Sequence, residues 1–163
     1  MPEPFFITGY PRSMTAWLSV ALDCAHERDG ESFESFMQKL ESGEQVGNSE
    51  STTVLFYDAI KEKYPNSKWV VIEREKQDSL VSMCKVSGLN PEKLCFIFDA
   101  LEQCFPNVSP ALRVKFSEIP LRIEDIWKWC RPSEEFPAQR IKRLQILNVQ
   151  QLPALIEAAS KVA

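Results

Sequence analysis

Arg12, Ser13 and Thr15, three side chains able to hold an anion, lie close together in the stretch Gly9-Tyr10-Pro11-Arg12-Ser13-Met14-Thr15-Ala16. An apolar segment, Phe5-Phe6-Ile7-Thr8, runs into it, and an amphipathic segment leaves it. A strand that turns into a helix presents the first free N–H groups of that helix, and its positive dipole end, to the turn. Ser13 and Thr15 add hydroxyl donors there, and Arg12 adds a fixed charge with fork geometry. The plainer alternative is an ordinary strand-to-helix turn with a surface arginine.

The nucleoside-triphosphate loop G-x-x-x-x-G-K-[S/T] is matched at its first glycine only, by Gly9. Met14 stands at the second glycine, Thr15 at the lysine, and Ala16 at the metal-binding hydroxyl. Ala16 has no oxygen to offer a magnesium ion, so magnesium-dependent phosphoryl transfer is disfavoured. A small kinase with a degenerate loop remains only as an alternative.

The elements that must position this loop read as α/β. Continuous apolar runs at 4–8, 69–73 and 112–116, with a weaker one at 44–47, fit strands buried on both faces of a parallel sheet. Helical periodicity fills the intervals. Met14, Trp17, Leu18, Ala21, Leu22 and Ala25 share one face, as do Phe33, Phe36, Met37 and Leu40. Further helices are expected from about Ser51 to Tyr64, after Arg74, and over 90–105, where Asn90 and Pro91 make a good start. The last 45 or so residues read as helical, with breaks near Pro132, Pro137 and Pro153. Strands alternating with helices imply right-handed crossovers.

The 163 residues suit one domain spanning 1–163. A net charge of −4 without any basic run argues against nucleic acid as a general partner. Five cysteines without a CxxC pair, and a single histidine, argue against a structural zinc site, and the cysteines read as reduced, mostly buried thiols. No leader segment and no bilayer-length apolar run is visible, so a cytoplasmic protein with no membrane partner is expected.

Tyr10-Pro11-Arg12-Ser13-Met14-Thr15-Ala16-Trp17-Leu18 resembles the 5′-phosphosulfate-binding loop of sulfotransferases. That family carries a second signature on a later strand-to-helix turn: an arginine, an aspartate four residues on and a serine eight residues on. Arg74, Asp78 and Ser82 stand at those offsets. A third likeness, Leu112 to Ile119, is similar to the strand before a Tyr-Glu-Asp-Leu element in carbohydrate-type members. The three segments cover roughly residues 5–120. The resemblance extends to small sulfotransferase-like proteins common in bacteriophage genomes, for which the location would be the host cytoplasm.

The resemblance implies a three-layer P-loop-type fold: a short parallel sheet flanked by helices, with a helical C-terminal region. It implies 3′-phosphoadenosine 5′-phosphosulfate (PAPS) as donor, adenosine 3′,5′-bisphosphate as product, and no metal. Gly9, Tyr10, Pro11, Arg12, Ser13, Met14 and Thr15 would hold the 5′ end, and Arg74 and Ser82 the 3′-phosphate. Arg12 would also stabilise charge on the leaving oxygen, and an unknown small-molecule or macromolecular acceptor would supply a hydroxyl or amine. A glutamate shortly after the first helix is the base in some family members, a role that falls to Glu27. His26 is of the type used by the cytosolic small-molecule branch. The alternative for both is a solvated polar turn.

Other features stay open. Asn48 and Ser49 either flank the same cleft or, with Ser51, cap a helix. Arg140 or Arg143 either meets the 3′-phosphate or faces solvent. Trp127 and Trp129 form either a contact surface or ordinary core. Met14 departs from the family's glycine and would crowd the anion or change the ligand. The chain also lacks a K-G-x-x-G loop and acceptor-pocket insertions. A nucleotide-binding or interaction protein without catalysis is the alternative from another class.

Overall fold

Alternation along two strands decides the architecture. In β1 (Phe5–Gly9), Phe5 and Ile7 face one core while Phe6 faces another. In β4 (Lys68–Glu73), Val70 and Ile72 join the first core, and Trp69 and Val71 the second. Such strands are covered on both faces, which is why their sequences are apolar throughout. The computed structural model describes residues 3–26 and 32–146.

The remaining elements run in order: α1 (Thr15–Leu22), β2 (Ala25–His26), α2 (Phe33–Ser42), β3 (Gly47–Ser49), α3 (Tyr57–Lys63), α4 (Lys76–Ser87), α5 (Pro91–Cys104), β5 (Ala111–Lys115), α6 (Ile119–Cys130) and α7 (Ala138–Ile146). The five strands form one sheet in the order β2-β3-β1-β4-β5, and every pairing is parallel. The α/β class with a parallel sheet is therefore as expected. Helices α1, α6 and α7 cover the first face; α2, α3, α4 and α5 cover the second.

All four crossovers share one hand. The step from β1 outward to β2 passes over the first face, whereas every step in the opposite direction passes over the second. The chain therefore leaves the carboxyl ends of the neighbours β1 and β4 towards opposite faces. In open α/β sheets such a divergence marks the edge at which ligands are received.

Three boundaries differ from the expectation. The weak strand at 44–47 lies instead at Gly47–Ser49, because the Gln45 amide still bonds to Lys39 O at the end of α2. A Cβ on Gly47 would sit 2.3 Å from Phe5 O, so only glycine allows this close pairing with β1. The helix expected from Ser51 opens as a 3-10 turn over Ser51–Phe56, where the hydroxyls of Thr52 and Thr53 bond to side chains upstream. The first helix stops at Leu22, ended by left-handed Asp23 (φ 52), and the two-residue strand β2 follows.

Trp127 lies in the first core, and the Trp129 indole donates to Trp69 O at 3.0 Å, so these two tryptophans pack inward. All five cysteines are free; Cys130 is buried and the other four are half-buried. Among the described residues no helix is long and apolar enough to cross a membrane. The break near Pro153 lies outside the described residues.

Candidate functional site

The turn after β1 is built by contact rather than by propensity. A Cβ on Gly9 would meet Ile72 Cβ and Ile72 O at 2.9 Å, and Ser13 Cβ at 3.4 Å. Glycine thus lets β4 pass close by while Ser13 folds back into the hollow of the loop. Arg12 (φ 69) and Met14 (φ 63) are both left-handed, a conformation that costs about 1–2 kcal/mol in a non-glycine residue. Met14 leans its side chain on the first core, so it does not fill the hollow. Its carbonyl accepts the first helical bond of α1, from Leu18 N at 2.9 Å.

Ser13 is wholly buried, and among the described residues its hydroxyl has no hydrogen-bond partner. An enclosed, unmade hydroxyl bond costs about 1–3 kcal/mol, so this atom has hydrogen-bonding capacity to spare in the hollow of the loop. Thr15, the first residue of α1, is held from below: Ser49 Oγ donates to Thr15 O at 2.8 Å. Arg12 is exposed at the tip of the loop.

The second turn, after β4, grips the first. The Arg74 guanidinium donates to Arg12 O, and the buried Ser79 hydroxyl donates to Pro11 O. Arg74 also lies over the Phe116 ring, 4.2 Å from its centroid. Partial burial lowers the pKa of Arg74, Asp78 opposes that shift, and the like charge of Arg12 adds to it.

Tyr10 is locked from the α5 side, stacked on Phe98 at 5.3 Å and edge-on to Phe105 at 5.1 Å. Burial, and then the Glu102 carboxylate, raise its phenol pKa. Lys76 ties α4 to α5 through Asp99 at 2.6 Å and Glu102 at 2.5 Å.

Beside these turns an open cleft of about 620 Å³ lies over the carboxyl ends of β4 and β5. Tyr10, Phe105 and Phe116 give it aromatic walls, and Arg74, Arg113 and Lys115 bring cations to it. Glu73, Glu75 and Asp78 also reach its rim. Arg113 is steadied by Phe105 O at 2.8 Å.

The structure thus gathers Gly9, Tyr10, Pro11, Arg12, Ser13, Met14, Thr15 and Arg74 around one edge of the sheet. Ser82 sits apart, half-buried on α4 one helical turn beyond Asp78 and outside the lining of the cleft. His26 ends the outermost strand, two strands from β1 and so about 10 Å away across the sheet. Its ring Nδ1–H donates to Ser49 O at 2.7 Å, since a carbonyl can only accept. Glu27 lies outside the described residues.

Of the open features, Arg140 donates to Ala21 O at 2.5 Å and thus serves the C-terminal end of α1, opposite the loop. Asn48 is buried and holds Glu50 and Thr53 at 3.3 and 3.1 Å. Glu50, only 9% exposed, also accepts from Thr52 and Thr53. The N-cap of the following turn is Glu50, and the Asn48 side chain is engaged by the side chains of Glu50 and Thr53.

Ser79, Glu50 and the cleft residues Phe105, Arg113, Lys115 and Phe116 did not stand out as site residues in the sequence. Ser79 adjoins Asp78 in the second signature, so its type and place in the first turn of a helix are the signal that was there to read. Nothing in the spacing of Glu50 marks it. Among the described residues no three of His, Cys, Asp and Glu gather as a metal-ligand set. Compared with known proteins, the chain matches no family model and no curated protein sequence.

Proposed function

We propose that the chain is a single-domain, P-loop-type sulfotransferase that moves a sulfuryl group from PAPS to a hydroxyl or amine acceptor. One observation carries this reading: two strand-to-helix turns, after β1 and after β4, meet at neighbouring carboxyl ends and are joined through Arg74 and Ser79. A donor with phosphate at 3′ and phosphosulfate at 5′ needs anion sites at two separated points of one edge. The chemistry of the residues fits. The unpartnered Ser13 hydroxyl and the start of α1 suit the 5′ end, and Arg74, with Arg113 and Lys115 near it, suits the 3′-phosphate. The aromatic walls of the cleft suit a nucleoside between them.

In the reaction, the bond from sulfur to the bridging phosphate oxygen breaks, and a new bond forms from sulfur to the acceptor oxygen or nitrogen. The acceptor's proton passes to a base. Arg12 and the loop amides stabilise charge on the departing oxygen. Glu27 is the base in this reading and His26 the second candidate. No metal is required, in keeping with Ala16 where a metal-binding hydroxyl would stand.

Titration calorimetry with adenosine 3′,5′-bisphosphate tests the reading, with ADP as comparator and Arg74→Ala as control. Tight bisphosphate binding, weak ADP binding and loss in the variant support it. Absence of bisphosphate binding sinks it.

One observation favours a second reading, a nucleotide-binding protein without turnover: His26 stands two strands from the loop. Turnover that disappears in Glu27→Ala or His26→Ala, with bisphosphate binding retained, decides for the enzyme.

A further inference from the structure

Two consecutive carbonyl groups of the first loop are taken by the second turn. Pro11 O accepts from Ser79 Oγ and Arg12 O from the Arg74 guanidinium. The peptide bonds that follow Pro11 and Arg12 are trans. In a planar trans peptide the C=O and the N–H point in opposite directions. The peptide that presents Pro11 O to α4 therefore turns the Arg12 N–H away from α4. The next peptide, which presents Arg12 O to Arg74, does the same with the Ser13 N–H. Successive N–H groups turned one way, next to left-handed residues, make an anion-binding concavity. The buried hydroxyl of Ser13, which has no partner, lies in the same loop.

We propose that Ser79 is a positioning residue: with Arg74 it holds the loop by its carbonyl groups, so that the Arg12 and Ser13 amides face the bound anion. This rests on the reading of the loop as an anion site and assigns Arg74 a second task besides meeting the 3′-phosphate. Ser79 is wholly buried, so its hydroxyl serves the loop from behind and touches no ligand. Ser82, the serine of the expected signature, does not make this contact; the serine three residues earlier does.

The left-handed residues explain why a clamp is needed. Arg12 and Met14 hold conformations disfavoured for residues bearing a Cβ, and the loop keeps them only if other contacts offset that cost. Arg74, just before α4, and Ser79, on α4, supply two such contacts, and α4 is itself tied to α5 by the Lys76 ion pairs.

The experiment is amide NMR on the whole chain, titrated with pyrophosphate and separately with adenosine 3′,5′-bisphosphate, for wild type, Ser79→Ala and Ser79→Thr. Pyrophosphate should shift the Arg12 and Ser13 amides of the wild type. Ser79→Ala should bind it about tenfold more weakly, the loss expected when one positioning hydrogen bond goes, and those two shifts should shrink. Ser79→Thr, which keeps the hydroxyl, should restore both. A melting temperature recorded in parallel separates this from mere unfolding, and the wild-type shifts decide even if Ser79→Ala is unstable.

Unmoved Arg12 and Ser13 amides in the wild type, or unchanged affinity and shifts in Ser79→Ala, would overturn the inference. Pyrophosphate binding through these amides without bisphosphate binding keeps the inference and removes the sulfotransferase reading. Bisphosphate binding with both amides unmoved does the reverse.

Discussion

Gly9 and Ile72 stand so close across the β1–β4 pair that a Cβ on Gly9 would lie 2.9 Å from both the Cβ and the carbonyl oxygen of Ile72. One of those obstacles is backbone, which cannot rotate aside. The spacing of the two strands, and with it the approach of the two turns, therefore depends on the missing side chain.

Gly9→Ala should accordingly destabilise the fold by roughly 1–3 kcal/mol, the usual cost of forcing extra atoms into a packed interior. Urea unfolding checks this: the midpoint should fall while the slope stays the same. An unchanged midpoint would mean that the strands have room to spare.

Ser13→Ala should separate stability from binding. The wild-type hydroxyl is enclosed without a partner, so removing it should raise stability by about 1 kcal/mol. Pyrophosphate affinity should fall in the same variant. Denaturant unfolding and calorimetry on one preparation read both, and a stability loss without any binding loss would contradict the ligand role of this atom.

Met14→Gly bears on the departure from the family loop. The side chain rests on the first core, so its removal opens little space in the hollow of the loop. Relief of left-handed strain, about 1 kcal/mol, is offset by lost apolar contact. Anion affinity should change less than about threefold, under ~0.7 kcal/mol. A large gain in calorimetry would show that the methionine obstructs the ligand.

The thiols give a pH prediction. Cys24 keeps some surface, but burial of its sulfur pushes its pKa up to about 12. Burial raises Cys130 as well. In the unfolded chain both return to about 8.5, so above that pH the unfolded state binds fewer protons than the native one. Stability is thus fully present below pH 8.5 and declines above it, by about 1.4 kcal/mol per pH unit for each thiol. Chemical denaturation between pH 7 and 10 measures the slope. At pH 8 a thiol reagent should modify Cys84, Cys95 and Cys104 well before Cys24 or Cys130 in the native protein.

How far the sequence reached depends on the range of the interactions involved. β1 and β4 were legible because strands buried on both faces must be apolar at nearly every position; β5 lies at the sheet edge with Arg113 and Lys115 exposed, and only Val114 is fully buried. α5 was legible because Asn90 and Pro91 announce its start through local hydrogen bonding; the Asn90 side chain accepts from the Lys93 amide. β2 was not legible, since two residues carry no period. β3 was displaced because its start follows from the contact between Gly47 and Phe5, some forty residues apart in the chain.

The same division runs through the candidate site. Gly9, Arg12, Ser13 and Thr15 stood out by type and spacing, because an anion loop needs small, hydroxyl-bearing and cationic residues at a strand end; Arg74 stood out only through the resemblance to the second sulfotransferase signature. Their union did not. That Arg74 meets the Arg12 carbonyl, that Ser79 rather than Ser82 meets the loop, and that Arg140 serves the far end of α1 all depend on which strands lie side by side. Local sequence determined the longer segments, such as β1, β4 and α5, since hydrophobic period and capping act within a few residues. Only the tertiary structure decided which carbonyls are taken and which hydroxyl is left without a partner, because a hydrogen bond between residues 62 or 68 positions apart leaves no mark on the spacing of either.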